Sequence, residues 1–211
     1  PSREASVRQR WVDDGAVVET AVRVPGGDVV QHAYAVRASS TSEDGGWDDS
    51  AVVVEVQNLT AVPVALAFAI RPFTLAGSGR IDRIESSGPV VRVDGRVGAV
   101  LSREPARLAV GPLGDVAIRL ARGEDRDGAS TSAEAGPDGI EAAFVVPLPH
   151  TATVKILLPR VVPTRRRLLR SSAPVVEADA DWTAPAHETI AAGWEVHTRE
   201  AAGVELPDPS L

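Results

Sequence analysis

The sequence predicts an all-β protein: a large antiparallel sandwich of two sheets, with about twelve or more strands and one C-terminal linker helix. Three observations carry this reading. Apolar residues recur at alternate positions through most of the chain, turn-forming residues punctuate those runs, and strand patterns rarely give way to helical ones. A parallel sheet built of βαβ units would need that alternation, so two packed antiparallel sheets are the expected solution.

The elements follow in order between Val7 and Leu158. Pro25-Gly26-Gly27-Asp28 separates strand patterns over Ala16–Val24 and Val29–Arg37. Val52, Val54 and Val56 alternate with Glu55 and Gln57. In the next run Val62, Val64, Leu66, Phe68 and Ile70 form one face, and Pro63, Ala65, Ala67 and Ala69 form the other, as a half-buried strand requires. Asp94-Gly95 divides Val91-Arg92-Val93 from Arg96-Val97, a pair whose positive φ angles suit a type I′ hairpin. Val116, Ile118 and Leu120, with Asp115 and Arg119 facing out, read as a further strand, as do Val154, Ile156 and Leu158 against Thr153 and Lys155. Trp11, Tyr34 and the phenylalanines sit in such runs and are expected in the core.

Three stretches break the rhythm. Ala38–Ser50 and Gly123–Gly139 are polar and Gly-rich and read as loops. From Pro163 the pattern changes again. Thr183-Ala184-Pro185 opens a helix over Ala186–Ala202, with Ile190, Gly193, Trp194 and His197 on one face. The expected organisation is therefore a β-sandwich over residues 1–162, then an extended return, a linker helix and the start of a downstream domain over 163–211. The ends agree with this division, since Pro1 stands where a translated chain carries Met, and Leu206-Pro207-Asp208-Pro209-Ser210-Leu211 points into a further element. An excised β-domain of a longer polypeptide is expected.

Composition excludes several classes. The absence of cysteine rules out disulfides, thiolate metal sites and cysteine nucleophiles. A net charge of −7 argues against a nucleic-acid partner. The longest apolar run, Ala61–Ile70, contains Pro63 and falls far short of the roughly 20 residues that span a bilayer, so no membrane partner is expected. A cysteine-free chain is compatible with a cytoplasmic location. Lys155 is the sole lysine among 22 basic residues, a bias that points to a GC-rich coding sequence.

Chemistry-bearing motifs are few. Asp13-Asp14, Glu43-Asp44 and Asp48-Asp49 lie in turn-like contexts and read as solvated loop carboxylates, not as the spaced pair that glycoside hydrolysis needs. His32, His150, His187 and His197 show no short ligand spacing, so no metal site is assigned. Asp125-Arg126-Asp127-Gly128 touches a calcium-loop pattern, but Glu134 comes too early to close it. Asn58-Leu59-Thr60 fits a glycosylation acceptor and reads more simply as a turn; Arg165-Arg166-Arg167 with Arg170 reads as a solvated or interdomain cluster. The weak candidate for ligand binding is Trp47, a large ring in a polar loop between Asp44 and the pair Asp48 and Asp49, where ring and carboxylates could meet a glycan.

Gly193-Trp194-Glu195, Val204-Glu205-Leu206-Pro207-Asp208, and the block Val52–Arg71 with its Gln57-Asn58-Leu59-Thr60 turn and Arg71-Pro72-Phe73 ending carry a resemblance. Together they resemble the N-terminal β-sandwich, or supersandwich, of bacterial glucoamylase-type and glycogen-debranching-type glycosidases, in which a linker helix leads into an (α/α)6 barrel. The resemblance implies that the catalytic carboxylates sit on the barrel, so no catalytic residue and no cofactor is carried over to this chain. It implies a non-catalytic accessory domain of a carbohydrate-active enzyme, with the (α/α)6 domain of the same polypeptide as partner and Trp194, Ile190 and Leu206 as interdomain packing residues. The alternatives are an autonomous carbohydrate-binding module and an interaction domain without a ligand.

Overall fold

The computed structural model describes residues 6–13, 15–37, 50–74, 77–114, 116–124, 126–127, 131–134, 139–159 and 184–200. Among them the chain forms β1 (Val7–Val12), β2 (Val17–Val24), β3 (Gly27–Arg37), β4 (Ser50–Asn58), β5 (Val64–Ile70), β6 (Phe73–Thr74), β7 (Gly77–Ser78), β8 (Arg83–Ser87), β9 (Val90–Val93), β10 (Arg96–Leu101) and β11 (Arg107–Pro112). Helix α1 (Val116–Arg122) follows, then β12 (Arg126–Asp127), β13 (Thr131–Glu134), β14 (Ile140–Leu148), β15 (Thr153–Pro159) and helix α2 (His187–Glu200). Twelve of these strands have four or more residues, in line with the count expected from the alternating pattern.

The strands make an all-β sandwich. Nine form one sheet in the order β1-β2-β3-β4-β15-β10-β9-β8-β13, four form a second in the order β12-β11-β14-β5, and β6 pairs with β7. Every recorded pairing is antiparallel. The main core lies between the two large sheets. Val56, Val154, Ile156, Leu101, Val91 and Ile84 of the larger sheet meet Phe144, Val146, Leu148 and Leu108 of the smaller. Strand β5 is half-buried with alternate residues exposed, because Leu66, Phe68 and Ile70 face this core while Ala65, Ala67 and Ala69 face away.

A second cluster lies on the opposite face of the larger sheet, where Val17, Tyr34, Val36, Val53, Val100 and Leu157 pack beneath Ala191 and Ile190 of α2. The central strands are thus buried on both faces, which explains why β4 reads as a near-continuous valine run.

The turns are those the sequence specifies. Asp94 and Gly95 take φ angles of 49° and 75°, closing the β9–β10 hairpin, and Asp94 Oδ1 accepts hydrogen bonds from the backbone N–H groups of Asp82 and Arg83. Asn58, the last residue of β4, has no solvent exposure. Its amide donates to the carbonyl oxygens of Val62 and Leu148, both at 2.9 Å, and its side-chain oxygen accepts from Thr60 N.

Four expectations are corrected. Val116–Leu120 is helix α1, not a strand. Residues four apart share a helix face, so Val116 and Leu120 can pack on the smaller sheet while Ile118 is exposed; three apolar residues at spacing two fit either period. The first N–H of this helix, on Val116, is bonded at 2.7 Å by the buried carboxylate of Glu141 on β14. Gly123–Gly139 is not all loop, since β13 pairs with β8 and β12 with β11. Backbone ladders accept a polar strand at a sheet edge that hydrophobic periodicity cannot reveal.

Trp11 and Phe73 are 62% and 61% exposed, outside the core, because β1 is an edge strand beyond the cover of the smaller sheet and β6 belongs to a separate ribbon. The buried face of α2 is set by Ile190 and Ala191, one position round from the expected stripe, and Gly193 and His197 are exposed.

Candidate functional site

Antiparallel register brings one residue from each of five neighbouring strands into a row across the larger sheet. Arg10 stands opposite Glu19, Glu19 opposite His32, His32 opposite Glu55, and Glu55 opposite Lys155. Directly opposed residues project to the same face, here the face that carries α2. The adjoining row is Val12, Val17, Tyr34, Val53 and Leu157, so a charged row borders an apolar one. Signs alternate along it, with His32 between two carboxylates.

The contacts follow from that order. Arg10 holds Glu19 with two hydrogen bonds, at 2.7 and 2.8 Å, a bidentate geometry that fixes the carboxylate. These bonds are the main reason the Glu19 carboxyl lies below its usual range. Glu19 Oε2 lies 3.4 Å from His32 Nε2. On the other side, Lys155 Nζ is 3.3 Å from Glu55 Oε2. The Tyr34 hydroxyl donates between the Pro185 carbonyl oxygen at 2.8 Å and Glu55 Oε2 at 3.2 Å, tying the approach to α2 onto the sheet. Burial, then the Glu55 charge, pushes the Tyr34 hydroxyl pKa upward.

His187, the first residue of α2, closes the arrangement from above. Its ring stacks on His32 with centroids 3.7 Å apart and planes 9° from parallel. Its Nδ1 is 3.4 Å from Glu55 Oε1 and its Nε2 is 3.4 Å from Glu188 Oε1. Burial lowers the His32 pKa and the neighbouring His187 lowers it further, against the opposing pull of Glu19. A cleft of about 610 Å³ opens alongside, lined in part by Arg8, Arg10, Glu19, His32, His187 and Glu188. His32, Glu55 and His187 each bring one potential ligand atom within 4.8 Å of the others.

Of the residues singled out from the sequence, Trp47, Asp44, Asp48, Asp49 and Leu206 lie outside the described residues, as does the Arg165–Arg170 cluster. Ile190 packs on the apolar row, and Trp194, 45% exposed, lies against Gly15. The sequence reading treated the histidines as isolated, whereas sheet register and the docking of α2 join two of them. The available signal was the polar residues Glu19, His32, Glu55 and Lys155 interrupting otherwise apolar strand faces. Finding the row required the strand order as well.

Comparison with family models, with curated proteins and with solved structures gives no match. Among the described residues no helix is long and apolar enough to cross a membrane.

Proposed function

We propose that this chain is a non-catalytic accessory domain of a carbohydrate-active enzyme, resembling the N-terminal sandwich of glucoamylase-type and glycogen-debranching-type glycosidases, and that it packs against an (α/α)6 barrel of the same polypeptide. The observation that supports the reading is the unequal size of the two sheets. The smaller sheet covers β4, β15, β10, β9 and β8, and the same side of β1 continues past it with Val7 and Trp11 51% and 62% exposed. An extension of a sheet that carries exposed apolar side chains on either side of Gln9 is the kind of surface a partner domain covers. Sequencing the gene past the Leu211 codon tests the proposal. A succession of amphipathic helices supports it, and a stop codon overturns it.

One observation favours a second reading, an autonomous glycan-binding module. Trp11 shares its face with Gln9, whose amide donates to Thr20 Oγ1 at 3.0 Å, so an exposed ring adjoins polar groups able to meet sugar hydroxyls. Tryptophan fluorescence during titration with maltooligosaccharides separates the two readings. Saturable quenching that is lost in Trp11→Ala favours the module, and a flat titration favours the accessory domain.

A further inference from the structure

We propose that His32, Glu55 and His187 form a binding site for one divalent transition metal ion, Zn²⁺ in the first instance. Two imidazoles and one carboxylate suit such ions, and three protein ligands leave a coordination position for water or another ligand.

The spacing is close to what coordination needs. His187 Nδ1 and Glu55 Oε1 are 3.4 Å apart, yet His187 Nδ1 is buried without a hydrogen-bond partner. Two ligands about 2.1 Å from a tetrahedral zinc ion lie about 3.4 Å from each other. His32 needs to close by no more than about 1.4 Å from the 4.8 Å limit to join them. Its side chain is only 8% exposed, and its Nδ1 is also buried with no hydrogen-bond partner. A buried polar atom without a partner is costly, and an ion would satisfy both nitrogens at once.

Supporting groups hold two of the three ligands. Glu19 faces the far nitrogen of His32, and Arg10 in turn holds Glu19, the carboxylate–histidine arrangement that fixes a metal-binding imidazole. Tyr34 and Lys155 lie at Glu55 Oε2, leaving Oε1 toward His187. The cleft beside the two histidines supplies an access route. The stacked rings hold their lone pairs in nearly parallel planes, so binding tips the His187 ring out of the stack. That motion is local, because His187 opens α2.

The test is calorimetric titration of the EDTA-treated, dialysed protein with ZnCl₂, with Co²⁺ as a spectroscopic substitute. The expected result is one ion per chain, a tetrahedral-type visible Co²⁺ spectrum, and loss of both in His187→Gln and His32→Gln. Glu19→Gln, which touches no ion, weakens binding about 10- to 100-fold. His150→Gln and His197→Gln leave binding unchanged. Absence of stoichiometric binding, or binding that survives His187→Gln, overturns the proposal. If either variant fails to fold, histidine NMR of the wild-type protein decides: one equivalent of Zn²⁺ must shift His32 and His187 alone, and shifts confined to other histidines refute the site.

Discussion

His32 on β3 and His187 at the start of α2 lie face to face, their ring centroids 3.7 Å apart, in a setting where Glu55 approaches from the sheet beneath. The contact joins the helix to the sandwich, and its His32 side responds to pH. Neighbouring attachments are different in kind: Tyr34 bonds the Pro185 carbonyl oxygen, and Ile190 and Ala191 bury apolar surface. The outer layer therefore combines the His32 contact, which responds to acid, with attachments at Tyr34, Ile190 and Ala191 that do not.

From this comes a pH dependence. His32 holds its proton less tightly in the folded chain than the ordinary value of 6.5, chiefly through burial. Above pH 6.5 the imidazole is neutral in both folded and unfolded chains and contributes no penalty. As the pH falls below that value the unfolded chain takes up the proton first, and stability declines until the folded-state pKa is passed. Urea melts in EDTA, between pH 7 and pH 5, should show this loss, and His32→Gln should flatten it. Equal slopes for the two proteins would refute the assignment.

Asn58 anchors the β4–β5 turn to the end of β14. Replacing it with alanine orphans the Leu148 carbonyl oxygen and the Thr60 N–H, whereas the Val62 carbonyl oxygen keeps its bond from Thr60 Oγ1. At about 1–3 kcal/mol for each of the two buried groups left unpaired, Asn58→Ala should cost about 2–6 kcal/mol. The measurement is the shift in urea midpoint at constant slope.

Glu141 and Arg71 predict an asymmetry. The carboxylate is buried, caps α1 at Val116 and lies 3.0 Å from Arg71 Nε, while Arg71 is 42% exposed. Arg71→Ala leaves a buried charge without its cation, at a cost of about 3 kcal/mol. Glu141→Gln keeps an oxygen for the cap and leaves Arg71 access to water, so about 1 kcal/mol is expected. The double variant should be more stable than Arg71→Ala alone, and chemical denaturation of all three tests the ordering.

These residues also mark what was legible in the sequence. Alternation in Val64–Ile70 and the Asp94-Gly95 pair act over a few neighbours, so strands and hairpins can be read locally. The identity of α1 depended on what lay beneath Val116 and Leu120, which spacing alone does not reveal. Glu141 looks like any strand carboxylate until α1 lands on it. The row from Arg10 to Lys155 requires the order β1-β2-β3-β4-β15, and its last pairing joins strands separated by most of the sandwich. Sites composed by register across distant strands leave no short motif.

The open side of β1 yields the last expectation. Trp11 is opposite Val18, and the same cross-strand row continues through Ala33 to Val54, which packs in the main core. The exposed ring thus extends an apolar layer that is covered farther along and uncovered at the edge. Burying apolar surface contributes roughly 25 cal/mol per Å², and an edge strand also offers unpaired backbone groups, so copies of the isolated chain should associate through this edge. Light scattering should show an average mass that rises with concentration. Trp11→Gln should suppress the rise while changing unfolding stability by no more than about 0.5 kcal/mol, as expected for an exposed position. A monodisperse monomer at high concentration would count against both the association and the partner surface proposed for this edge.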